Sequence, residues 1–101
     1  MILLALAAAT APLLPPEIAR DLRCVAIIGV GGDPAVAEAG ALYAAIVGAG
    51  AMDATGQSRE AVRDLIFDQV RNVRKNKPAP AEVMTCITQM RARIALESVA
   101  R

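Results

Sequence analysis

The sequence contains no histidine and no tryptophan, one tyrosine, one phenylalanine and two cysteines among 101 residues. Without histidine the chain lacks the commonest general base, the commonest neutral metal ligand and the only side chain that titrates unaided near neutrality. Two thiolates without an imidazole make half of a structural zinc site, so no metal is expected. The two cysteines are either buried free thiols or one disulfide, and the choice turns on the redox compartment. Long runs of one charge are missing as well. Eleven basic groups stand against ten acidic ones, which excludes the strongly basic balance of a general polyanion binder.

What is present is aliphatic. Hydrophobic residues make up 55% of the chain and aromatics 2%, so a single domain must build its core from Ala, Val, Ile, Leu and Met, a palette that favours helices. The charges are unevenly spread. Residues 1–58 carry two basic and five acidic groups, net −3, while residues 59–101 carry nine basic and five acidic groups, net +4.

The stretch CVAIIGVGGDP, from Cys24 to Pro34, has the look of a glycine-rich phosphate loop. Gly29 and Gly31 fill two places of a Gly-x-Gly-x-x-Gly pattern, but Pro34 takes the third, and no strand-like run with an acidic end follows within a βαβ unit. A dinucleotide cofactor is therefore not expected. The glycines instead read as the end of one helix, with Asp33 and Pro34 as the N-cap and first residue of the next.

Residues 1–16, MILLALAAATAPLLPP, carry no charged side chain and place small residues at Ala7, Ala9 and Ala11. That is the pattern of a short export signal over residues 1–11, leaving 12–101 as one helical domain. Four helices are expected in that domain. The first spans about 16–29, with Ile18, Leu22, Val25 and Gly29 on one face and an apolar end from Val25 to Val30 that should be buried. The second runs from Pro34 to about Ala54 and stops at Gly56. Its stretch from Ala39 to Met52 has no charge, yet is shorter than a bilayer requires, so stable membrane insertion is not expected. It reads as the central helix of a soluble bundle, with Val36, Tyr43, Ile46 and Val47 as its bulky contacts. Ser58 caps the third, whose stripe is Val62, Leu65, Ile66, Val70 and Val73. The fourth begins near Ala81 and repeats Val83, Ile87, Met90 and Ile94.

Candidate chemistry is sparse. Asp64 and Asp68 lie one helical turn apart, but beside Arg63 and Arg71 they read as a solvated face rather than a cation site. Met52, Met84 and Met90 read as gap fillers more than as an adaptable groove. The basic run RNVRKNK places Arg71, Arg74, Lys75 and Lys77 at the end of the third helix, where cations also suit the helix dipole. With no aromatic residue interleaved in that run, nucleic acid is not expected there, and the four cations stand as the candidate surface for a protein partner.

The leader-like start, LRC in the first helix, ATGQSREAVRDLI opening the third and a second cysteine near the end together resemble small exported two-cysteine helical proteins of Gram-negative bacteria. The resemblance implies a periplasmic or secreted location and a disulfide, and carries over no catalytic residue. In size, helicity and a single bridge the chain is also similar to periplasmic acid-stress chaperones, a likeness of architecture only. In an up-and-down bundle the first and fourth helices are antiparallel neighbours, which brings Cys24 and Cys86 within bridging range. The expectation is thus an all-α, four-helix, disulfide-stapled protein that acts by binding, without catalysis or cofactor. The alternative is a cytosolic or membrane-associated interaction module that uses the basic end of the third helix.

Overall fold

The computed structural model describes residues 14–99 and contains four α-helices: α1 (Pro16–Gly31), α2 (Ala37–Thr55), α3 (Arg59–Lys75) and α4 (Pro80–Val99). A 3-10 turn, Pro34–Val36, leads into α2. The expected export signal over residues 1–11 lies outside the described residues.

Each boundary has a local cause. Pro15 and Pro16 open α1, whose proline at the first turn gives up an N–H that would have no helical partner. The apolar stretch through CVAIIGVG is helical to Gly31, two residues beyond the expected end. Gly32 then turns left-handed at φ 64° and returns its N–H to the Ile28 carbonyl. Asp33 accepts a hydrogen bond from the Ala35 N–H at 2.9 Å, so the glycine cluster is a helix stop followed by a cap rather than a phosphate loop. Gly56 ends α2 in the same left-handed way, at φ 69°. Ser58 caps α3 by accepting the Ala61 N–H at 3.1 Å. Pro78 and Pro80 separate α3 from α4.

The four helices do not share the core equally. α1 packs on all three others, most extensively on α3, and buries Asp21, Leu22, Cys24, Ala26, Ile27 and Ile28. This corrects two expectations. The central helix is α1, not α2, of which only Tyr43, Val47 and Ala51 are buried, with Ile46 half-buried. The buried arc of α1 is also wider than one stripe and is displaced from the expected one, since Gly29 is exposed and Val25 only half-buried. A helix enclosed from three sides hides residues that a one-faced pattern assigns to solvent.

The stripes of the last two helices lie where their spacing puts them. Val62 and Val73 are buried, and Leu65, Ile66 and Val70 pack against the core. In α4, Cys86 and Met90 are buried, with Val83, Ile87 and Ile94 packed beside them. Tyr43, Leu22, Ile27 and Met90 are the largest fully enclosed side chains, each contributing about 1.5 to 3 kcal/mol by leaving water.

Cys24 and Cys86 form the disulfide that joins α1 to α4, with their Cα atoms 5.1 Å apart. The bridge closes 62 residues of chain separation, which in the loop-entropy account stabilises the fold by about 4 kcal/mol.

Candidate functional site

Two polar clusters flank the disulfide along the α1–α4 seam. At the near end, the Arg23 guanidinium grips the Glu82 carboxylate with both arms, Nε donating to Oε2 at 2.7 Å and Nη2 to Oε1 at 3.1 Å. Its remaining nitrogen donates to Asn72 Oδ1 at 3.1 Å, so one side chain of α1 links α3 and α4. The hydrogen bonds from Arg23 hold the Glu82 carboxyl below its ordinary range, and Glu82 raises Arg23 in return.

At the far end lies Asp21, 2% exposed and the one charged residue in the described core. Its Oδ1 accepts from the Tyr43 hydroxyl at 2.8 Å and from the Gln89 side-chain amide, while Oδ2 accepts from Arg93 Nη2 at 2.8 Å. Three helices thereby meet on one carboxylate. Gln89 also reaches the Tyr43 oxygen at 3.4 Å, closing the network. Burial first, and the Asp21 hydrogen bond second, push ionisation of Tyr43 well above its ordinary value. Tyr43 thus stays a neutral donor. Among the described residues no buried side-chain nitrogen or oxygen lacks a hydrogen-bond partner. The role of this knot is to fix α1, α2 and α4 in register.

The expected partner surface is at the other side of the molecule's central helix. Arg74 and Lys77 rim a shallow groove floored by Ile27 and Val30 of α1, Val73 of α3, and Pro78 and Val83. Arg71 lies one turn earlier and is ion-paired with Asp68. Arg74, Lys75 and Lys77 are exposed and form no ion pair among the described residues. The sequence placed the charge correctly and missed two features beside it. One is the apolar floor, which needs α1 to pass beneath α3. The other is Phe67, 51% exposed, which shares one line of α3 with Arg71 and Arg74 at i, i+4 and i+7. The signal was available: Phe67 is the chain's single phenylalanine and falls outside the buried stripe of α3.

Of the remaining candidates, Asp68 is engaged by Arg71. No group of three or more metal-ligating side chains occurs among the described residues. Met90 is wholly buried, whereas Met84 is 61% exposed and Met52 sits at the edge of α2. The arrangement offers contact surfaces and a rigid frame. No protein family, curated protein or solved structure matches this chain.

Proposed function

We propose that the protein is a binding module of an oxidising envelope compartment and that it engages a protein partner at the junction of α3 and α4. The observation that carries this reading is the apolar groove over Ile27, Val30, Val73 and Val83 with the cations Arg74 and Lys77, unpaired among the described residues, on its rim. An apolar floor beside free positive charge suits an acidic segment that also carries an aliphatic anchor. Phe67 supplies the aromatic contact that protein interfaces favour, on the same line as the cations. Lys75 extends the positive surface, and Arg71 contributes with its charge shared by Asp68.

The Cys24–Cys86 bridge supports the compartment, because a buried disulfide in a small chain persists where thiols are not kept reduced. The absence of histidine in the chain supports binding rather than catalysis.

The test is quantitative capture of envelope proteins by the full chain in a Gram-negative host, at low and high salt. The groove variant replaces Arg71, Arg74, Lys75 and Lys77 by Gln, and a second variant is Phe67→Ala. Specific partners should be lost with either variant and should weaken as salt screens the rim. Capture that is unchanged by both variants at low ionic strength would refute the site. Fully alkylatable thiols in the natively expressed protein would refute the compartment.

A further inference from the structure

We infer that two copies of this chain associate through α2, packed antiparallel, the acidic end of each copy against the basic end of the other. This goes beyond the groove at the α3–α4 junction and uses a separate surface.

The helical turn of about 100° per residue puts Tyr43, Val47 and Ala51 on the buried side of α2 and Ala41, Leu42, Ala45, Ala49 and Met52 opposite them. All five are exposed, Leu42 at 45% and Met52 at 36%, and no charge interrupts the helix between Glu38 and Asp53. The stretch Pro34–Thr55 is apolar and long enough to cross a membrane, yet only 22% of its most apolar window is buried. An apolar face of this length calls for a cover.

The charge around that face identifies the cover. Two shallow apolar grooves open along the same edge of α2, and Ala44 lines both. Near the helix start the groove is shared with Val25 and Ile28 of α1 and is rimmed by Asp33. Near the helix end it is shared with Val62 and Ile66 of α3 and is rimmed by Arg59 and Arg63. Glu60 shares an adjoining surface hollow with the same two arginines but does not line that groove, and Asp53 lies toward the far edge of the face. One end is therefore acidic, with Asp33 and Glu38, and the other basic. A surface with that asymmetry complements itself only head to tail.

A two-fold axis passing beside Ala45 meets the requirement. It sets Ala41 opposite Ala49, brings Leu42 over the notch at Ala49, and lays Glu38 beside Met52 and the arginine-rimmed groove of the other copy. Because the axis keeps the edge that carries both grooves on the same side, Asp33 of one copy also faces Arg59 and Arg63 of the other. Alanine rows let two helix axes approach to about 8 Å, where backbone and Cβ contacts become extensive. A bilayer is the poorer occupant. Alanines offer it little apolar area, Leu42 and Met52 are the bulky insertions on that face, and anionic headgroups drawn to Arg59 and Arg63 would also meet Asp33 and Glu38.

Sedimentation velocity of the oxidised full chain, from about 10 μM to about 1 mM, reads the association by mass action. The weight-average mass should rise toward twice that of one chain. Ala45→Glu, at an exposed position on the axis, should hold it at one chain with the melting temperature unchanged. Glu38→Arg alone, or Arg59→Glu with Arg63→Glu, should weaken the dimer roughly tenfold at low salt, and the triple variant should restore it. A wild-type chain that stays monomeric throughout overturns the inference, as does a triple variant no tighter than its parents. Flotation of a monomeric wild-type chain with neutral phosphatidylcholine vesicles would assign the face to a bilayer instead. None of these readouts depends on the α3–α4 groove, so either surface can fail alone.

Discussion

α1 carries four charged side chains and is the most buried of the four helices; α2 carries two, both near its ends, and leaves one whole face to solvent. Counted by hydropathy, the order should be reversed. What separates the two is the kind of side chain each brings. The buried run of α1 contains Leu22, Ile27 and Ile28, which repay enclosure with area, and the two charges nearest that run are consumed in directed contacts: Asp21 with Tyr43, Gln89 and Arg93, and Arg23 with Glu82 and Asn72. α2 is apolar chiefly through alanine and glycine, which yield little when buried. Charge count is thus a poor guide to burial when the charges have partners across the fold.

The sharpest way to break this contrast is to cut the seam that makes α1 central. Replacing Cys24 and Cys86 by Ser removes the link across 62 residues and should cost about 4 kcal/mol, a large share of the roughly 5 to 15 kcal/mol that holds such a domain. Denaturant unfolding of the double variant beside the oxidised chain measures it. A loss below about 1 kcal/mol would mean that packing and the two polar clusters position α1 without the bridge.

The Asp21 knot comes next. Asp21→Ala strands the Tyr43 hydroxyl, the Gln89 amide and the Arg93 guanidinium at once, and should cost about 3 kcal/mol. The same knot dictates an alkaline weakness. Tyr43 ionises later in the folded chain than its ordinary 10.0, so its contribution is whole below pH 10 and declines above it, as the unfolded chain releases the proton first. The slope should approach about 1.4 kcal/mol per pH unit and vanish in Tyr43→Phe. An alkaline slope that survives in Tyr43→Phe would assign it to other groups.

Four helices, the caps at Ser58 and Gly56 and the 24–86 pairing were legible because each rests on local chemistry or on a count: Ser58 before an amphipathic run, Gly56 after an apolar one, two cysteines that the bundle brings together. Asp33, expected to cap α2, instead caps the 3-10 turn ahead of it, and α2 begins at Ala37. The Asp21 knot was not legible. Its partners lie 22, 68 and 72 residues away, and periodicity assigns any aspartate in the second turn of a helix to solvent. Two hints existed, a lone tyrosine in a charge-free helix, whose hydroxyl needs a partner once buried, and Gln89 and Arg93 one turn apart on α4. Neither names Asp21 without the topology. The floor of the basic groove was hidden for the same reason, because Ile27 and Val30 reach it only through the passage of α1 under α3.

The finest test of the contrast lies in the glycines of α2. A methyl group added at Gly40 would meet Ile28 Cγ2 at 3.1 Å, because here α2 presses against the central helix, whereas one added at Gly50 meets nothing within 4 Å. Both sit inside a helix, where Ala is favoured over Gly by about 1 kcal/mol. Gly50→Ala should gain most of that. Gly40→Ala must push aside a buried isoleucine held by the core, and the strain should consume the gain, leaving stability within a few tenths of a kcal/mol of the parent. Denaturation midpoints of the two variants, read in parallel, give the difference directly. Equal stabilisation would show that α1 and α2 are as loosely joined at Gly40 as α2 is covered elsewhere, and the tight helix–helix contact that makes α1 central would have to lie with α3 and α4 alone.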